Sequence, residues 1–175
     1  MIVYPGWWRG GRWNPEPLLR DLFTFTDNKA ADGLTGLRVE RFFANGTDRE
    51  AWIKAGNGFL LVHRRGGNVN PETNIDEVIC EIAALTNDAD ESNKLTEYVG
   101  SVFDGFKEGG TVHRSAPHLS GLSTTFMAVP GEVVGPQLIP ELTRDERYVS
   151  STWQLHVAVP HGLPDYRELL ELDNE

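Results

Sequence analysis

The residues that most often do chemistry in proteins are sparse in this chain, and their spacing is unfavourable. No two histidines form the i, i+4 pair that holds zinc on a helix beside a glutamate. His113 and His118 are near each other in a predicted loop, where a solvated pair is the simpler interpretation and a weak metal site is the alternative. The others are His63, His156 and His161. The sequence therefore predicts no metal and no cofactor.

Nucleophiles and paired carboxylates are equally unpromising. The chain has no Gly-x-Ser-x-Gly motif, and its single cysteine, Cys80, lies in the middle of a predicted strand, where it is expected to be a small core residue. Glu77 and Glu81 share one face of that strand, but four residues of strand separate them by roughly 13 Å, which is too far for a glycosidase pair. Gly66-Gly67 lacks the other residues of a phosphate loop. We therefore predict that the protein is not an enzyme.

Glu77, Cys80 and Glu81 belong to a predicted strand around which the rest of the chain is organised. The segment 75–86 alternates between two sets of side chains, which predicts a long strand. One set is apolar, whereas the other mixes apolar residues with two carboxylates, so this second face should stay partly wet unless a second subunit covers it. The apolar set is Val78, Cys80, Ile82 and Ala84, and the mixed set is Glu77, Ile79, Glu81, Ala83 and Leu85.

A helix is predicted to follow this strand and to lie on the sheet. Asp88 and Glu91 have the spacing of a capping box, which explains the acidic run Asp88, Asp90 and Glu91 better than a calcium loop does. Apolar residues then recur at three- and four-residue spacing until Gly109-Gly110 ends the helix. They are Leu95, Val99, Val102, Phe103 and Phe106.

The remaining strands and helices are predicted in the same way, strands from alternating side chains and helices from apolar residues at three- and four-residue spacing. Asn14-Pro15 opens a helix that ends near Phe25, and this helix should bury Leu18, Leu19, Leu22 and Phe23. Strands are predicted at 37–43, 59–65, 123–129 and 149–159, the second ending at Gly66 and pairing antiparallel with the strand at 75–86. The segments 45–58 and 111–121 are expected to be irregular, and 130–147 is a long connection of a kind that usually makes contacts.

Composition and charge narrow the function classes. A chain of 175 residues with 39% hydrophobic content is expected to build one domain. Its formal net charge of -10 argues against a surface that holds a nucleic-acid backbone. The single cysteine permits no internal disulfide, and no segment has the roughly 20 apolar residues of a membrane span, so we expect a cytosolic protein.

The first 13 residues form a separate unit, the aromatic arm (residues 1–13), followed by one domain at 14–160 and an acidic tail or short helix at 161–175. The arm holds Trp7, Trp8 and Trp13 with Arg9 and Arg12 between them. Its tryptophans either pack back on their own domain or, together with the arginines, contact a neighbouring subunit, because Trp and Arg dominate interface hot spots. Stacking on single-stranded bases is a lesser alternative.

The order of these helices, strands and loops along the chain resembles that in the tail terminator proteins of long, non-contractile-tailed bacteriophages. The most family-like parts are Val62-His63-Arg64-Arg65-Gly66-Gly67, the helix from Asp90 to Phe106, and the strand from Arg147 to Leu155. The resemblance implies an α+β fold, a two-layer sandwich in which helices pack on one face of a mixed, mostly antiparallel sheet. It also implies a structural virion protein.

In such proteins a homohexameric ring caps the head-proximal end of the tail tube, stops tube polymerisation and provides the surface for head–tail joining. The implied partners are the chain itself, the tail tube protein and a head-completion protein, with DNA passing through the lumen unbound and no membrane involved. Besides the arm, we expect interface residues at the long connection and the start of the last strand. These are Val134, Gln137, Leu138, Ile139, Arg147 and Tyr148.

Two alternatives remain open at this point. Another neck or head-completion component of the same particle would share the fold and differ in its binding partner. A small ligand-binding domain or enzyme with a site among His113, His118 and the glycine-rich loops would belong to a different class altogether.

Overall fold

The computed structural model describes Val3 and residues 15–42, 46–70, 72–115, 123–138 and 147–159. Within these residues, the first half of the chain mixes helices and strands, and three consecutive strands follow the last helix. The helices are α1 (Pro15–Thr24), α2 (Gly46–Lys54) and α3 (Ala89–Gly105), with a short 3-10 turn at Lys29–Ala31. The strands are β1 (Leu37–Glu40), β2 (Gly58–Asn70), β3 (Ile75–Leu85), β4 (Gly110–His113), β5 (Thr124–Leu138) and β6 (Tyr148–Ala158).

One six-stranded sheet organises the domain, in the order β1-β2-β3-β6-β5-β4. β1 runs parallel to β2, and every other neighbouring pair is antiparallel. This confirms the α+β class, with a mixed, mostly antiparallel sheet. β3, the strand with two predicted faces, lies near the middle and pairs along its whole length with β2 and β6.

The main core lies between one face of this sheet and the helices α1 and α3. The predicted apolar sets on α1 and β3 are buried there, together with Val99 and Phe103 of α3. The Phe103 ring meets Trp153 of β6 edge-on, with ring centroids 5.1 Å apart, and Phe23 of α1 lies 6.2 Å from Phe103. These aromatic contacts join α1, α3 and the sheet, so both predicted helices pack on one face as expected.

The N-terminus of α3 is capped as the sequence predicts. The Asp88 carboxylate accepts a hydrogen bond from the Glu91 backbone N–H at 2.8 Å, while the Glu91 side chain pairs with Lys94. Replacing Asp88 by Ala should lower the free energy of unfolding by about 1 kcal/mol, because it leaves an amide of the first turn without its partner. Urea denaturation measures this, and a loss no larger than that for Ser101→Ala, on the exposed face of α3, would contradict it.

Two of the segments that were expected to be irregular contain regular elements, at 46–54 and at 111–113, and there the prediction was wrong; residues 116–121 lie outside the described part. Residues 46–54 form α2, which lacks an apolar stripe, since Ile53 is its only buried residue. Residues 110–113 form the edge strand β4. α2 packs Trp52 and Ile53 against Phe59 and Leu85, which point away from the main core. The sheet therefore carries a small second cluster on its other face.

Two strands run further than their glycines and prolines suggest, which corrects the predicted ends. β2 does not stop at Gly66 but continues to Asn70, with a register shift between Arg64 and Gly66. Gly67 has a φ of +112°, and a Cβ there would lie 1.9 Å from the Glu77 carbonyl oxygen, so only glycine fits. β5 continues to Leu138 because three register shifts against β6 absorb the residues that do not pair.

A buried polar cluster ties α1 to the far edge of the sheet. Arg114, directly after β4, donates from Nε to Asp21 Oδ2 at 2.6 Å, and the Ser115 hydroxyl donates to Asp21 Oδ1 at 2.5 Å. Asn28 bonds the Asp21 carbonyl and both backbone groups of His113. The ion-paired side chains are only 5% and 6% exposed, so this pair is part of the core.

Candidate assembly surface

The face of the sheet that points away from α1 and α3 is only partly covered. Near the start of β2 it carries α2, but further along the same face the side chains of β3 and β6 are half-buried or exposed. We call this region the open face and define it by Glu77, Ile79 and Glu81 of β3, Thr152, Gln154 and His156 of β6, and Ala128 and Val134 of β5. Its mixed polar and apolar character is the one predicted for the second face of β3.

Apolar side chains on the open face stay accessible to solvent. Ile79, in the middle of the face, is 38% exposed, and Val134 is 39% exposed. On the neighbouring part of β5, Val133 is 53% and Phe126 48% exposed. Exposed apolar side chains clustered on one surface mark contact sites more often than isolated ones do. The open face is therefore the candidate surface for assembly.

One ion pair lies on the open face. Arg65 of β2 forms an ion pair with Glu81, and His63 lies beside the Phe42 ring, with centroids 6.1 Å apart. Burial and, next, the Arg65 guanidinium lower the pKa of His63, so its imidazole is neutral at pH 7. The open face thus carries one ion pair and a further carboxylate, Glu77, so a protein that covers this face has to supply a donor or a cation to Glu77.

The predicted interface residues fall into three groups. Val134 and Gln137 are opposite Thr152 and Ser150 of β6 and lie on the open face, while Leu138 is opposite Val149, with its side chain outside the described part. Ile139 and the arm residues Trp7, Trp8, Arg9, Arg12 and Trp13 lie outside the described residues. Their contacts stay predictions.

Arg147 and Tyr148 are engaged inside the chain. Arg147 Nη2 lies 3.2 Å from Glu50 Oε1 of α2. Tyr148 is half-buried beside Leu85, and burial, followed by the Glu81 carboxylate, raises the pKa of its phenol. Arg147 therefore links the start of β6 to α2, and whether Arg147 or Tyr148 also contacts a partner stays a prediction.

A cleft that the sequence analysis did not identify opens beside the first half of α3. We call it the α3 cleft; it has a volume of about 420 Å³ and is lined by 34–37, 56–58, 86–88, Glu91, Lys94, Leu95 and Tyr98. Its apolar side chains are the half-buried Leu34, Leu37, Leu95 and Tyr98. Segments 34–37 and 56–58 meet where the Gly58 N–H donates to the Gly36 carbonyl at 2.9 Å. No local motif announces the cleft, because three separate segments form it.

Candidate metal ligands are not clustered in the described part of the chain. No three His, Cys, Asp or Glu side chains there are close enough together to hold a metal ion. His113 lies on β4, and His118 is outside the described residues. Among the described helices, none combines the length and apolar character needed to cross a bilayer.

Cys80 is a core residue, as predicted. It is fully buried, and this burial raises the pKa of its thiol to about 12. A thiol reagent at pH 8 should therefore leave the folded protein unlabelled and label it fully in 6 M guanidinium. Mass spectrometry reads both states, and rapid labelling of the folded chain would show that this part of the sheet opens.

Comparison with known proteins gives one family. A search of curated proteins finds no match to the chain. A family model described as phage tail termination protein matches residues 11–164, which include every described helix and strand. This family is a family of structural proteins. The chain belongs to the phage tail termination protein family.

Proposed function

We propose that the chain forms a homohexameric ring that caps the head-proximal end of the tail tube. There the ring stops tube polymerisation and presents the surface to which a head-completion protein joins. Its partners are further copies of itself, the tail tube protein and the head-completion protein. The ring assembles in the host cytoplasm and remains in the virion tail.

The observation that carries the proposal is the open face. Half-exposed Ile79 and Val134 lie on it with uncharged polar side chains, the Arg65–Glu81 pair and the carboxylate of Glu77. A second protein chain can bury the apolar side chains there if it brings a donor or a cation to Glu77. The family match supports the role at the tail, and the net charge of -10 suits a ring through which DNA passes without specific binding.

Electron microscopy of tail tubes polymerised with and without the chain tests the proposal. Purified tube subunits should grow into long tubes alone and into short tubes with a sixfold cap at one end when the chain is added. A control adds the heat-denatured chain at the same concentration. Tubes that grow to the same length and stay uncapped would overturn the proposal, and binding to a head-completion protein alone would move the chain to another level of the neck.

A further inference from the structure

We propose that the α3 cleft binds the aromatic arm (residues 1–13) of a neighbouring copy of the chain. The inference rests on the proposed function, because this contact would join successive subunits of the ring. The arm carries three tryptophans within seven residues, two arginines and no acidic residue. Such a segment needs a receptor with an apolar floor and an acidic rim.

The α3 cleft has both features. Leu34, Leu37 and Leu95 supply apolar surface that is only half-buried in the isolated chain, and Tyr98 adds an aromatic ring. At about 420 Å³ the cleft is within the roughly 300–1,000 Å³ that proteins use to enclose small ligands, which is enough for an indole.

The rim of the cleft is negative. Asp88 and Glu91 line it and are both exposed, with the Glu91 side chain 55% exposed despite its pair with Lys94. Among the residues that line the cleft, the two carboxylates stand against the single cation Lys94, so the lining has a net negative charge. The arm brings Arg9 and Arg12, so its charge is opposite to that of the rim.

The occupant is assigned to a neighbouring copy for two reasons. Val3, the one described residue of the arm, is 87% exposed in the isolated chain, so this apolar side chain has no cover within its own domain. A ring also requires a head-to-tail contact between two different surfaces, and the arm and the cleft are two such surfaces of opposite charge.

Cysteine cross-linking in the tube-capping reaction tests the contact. The single native cysteine is buried and has a pKa of about 12, so it gives little background. Gly10→Cys places a thiol in the arm without removing a Trp or Arg, and Asn87→Cys places one at the exposed rim of the cleft. Under mild oxidation this double variant should form disulfide-linked dimers and larger ladders on non-reducing gels. The control, Gly10→Cys with Ser101→Cys further along α3, should stay monomeric.

A charge reversal gives an independent readout. Glu91→Lys should reduce cross-linking of the Gly10→Cys/Asn87→Cys variant by at least tenfold, whereas Glu97→Lys, the same change on α3 outside the residues that line the cleft, should reduce it less than twofold. Circular dichroism should show that both variants stay folded. The midpoint of Glu91→Lys should fall by no more than about 5 °C, because the change removes the Glu91–Lys94 pair and places a cation in the first turn of α3, and this excludes a loss of fold as the cause.

The outcomes separate this inference from the proposed function. Capped tubes in which the double variant gives no disulfide, or only a disulfide within one chain, would overturn the arm contact and leave the capping role intact. Uncapped tubes with ladders in the free protein would support the contact and overturn the capping role. Uncapped tubes without ladders would overturn both.

Discussion

Replacing Arg114 by Met is expected to lower the free energy of unfolding by about 3–5 kcal/mol. Arg114 and Asp21 form an ion pair at 2.6 Å with both side chains almost fully buried. Removing the guanidinium would leave the Asp21 carboxylate buried, with the Ser115 hydroxyl as its remaining side-chain donor among the described residues. An uncompensated buried charge is far more costly than a lost surface contact. Guanidinium denaturation followed by circular dichroism measures the change.

The same helix offers a matched control. Arg20 pairs with Glu16 at 3.7 Å, but the two side chains are 50% and 19% exposed, so Arg20→Met should cost less than about 1 kcal/mol. A double variant, Asp21→Leu with Arg114→Met, should recover most of the loss because it removes both charges together. If Arg114→Met and Arg20→Met cost the same, the buried pair would not anchor α1 to β4.

This ion pair also shows what the sequence can and cannot predict. The partners are 93 residues apart, and neither belongs to a periodic pattern that marks it as buried. By contrast, β3, β6, α1 and α3 follow from local alternation or from apolar residues at three- and four-residue spacing, because burial of one face imposes a period on the residues that form it. Long-range polar contacts impose no such period.

The sequence did not predict α2 or the full length of β5, because neither imposes a clear period on its residues. α2 buries only Ile53 and so has no apolar stripe to detect. Pro130, Gly131, Gly135 and Pro136 predict a connection, but β5 continues through them. It does so because register shifts leave some residues of β5 unpaired while the strand stays beside β6. Proline and glycine locate breaks in regular pairing, but they do not tell a bulge from the end of a strand.

The candidate surface was partly predictable. The mixed set on β3 predicted a face that stays partly wet unless a second subunit covers it, and the structure places Ile79 at 38% exposure in the middle of it. Val134 and Gln137 were expected to lie in a connection, yet they reach the same face as residues of β5, opposite β6. The α3 cleft could not be predicted, because it forms where residues 34–37 and 56–58 meet the first half of α3 and the residues before it.

Replacing Ile79 by Arg is expected to abolish tube capping while leaving the single chain folded. Ile79 lies between Glu77 and Glu81 on the open face, so the new cation has carboxylates beside it in the isolated chain. The stem of Arg can also cover the apolar surface that Ile79 covered. The free energy of unfolding should therefore change by no more than about 0.5 kcal/mol, as is usual at partly exposed sites.

In the proposed ring the effect on assembly is multiplied. A cation buried at a subunit contact costs about 1–2 kcal/mol or more, and a closed homohexamer repeats every contact in each of its subunits. Even the lower value sums to about 6 kcal/mol per ring, or roughly four powers of ten in the assembly constant.

Capped ends counted by electron microscopy, alongside the unfolding midpoint of each variant, measure both expectations. Ile79→Val, which keeps an apolar side chain, should cap normally, and Ser101→Arg, which adds the same charge on the exposed side of α3, should cap nearly as well as the unaltered chain. Full capping by Ile79→Arg would remove the open face from the subunit contact. A midpoint that falls in step with capping would instead mean that Ile79 acts through the fold, since a residue needed only for assembly leaves the isolated chain as stable as before.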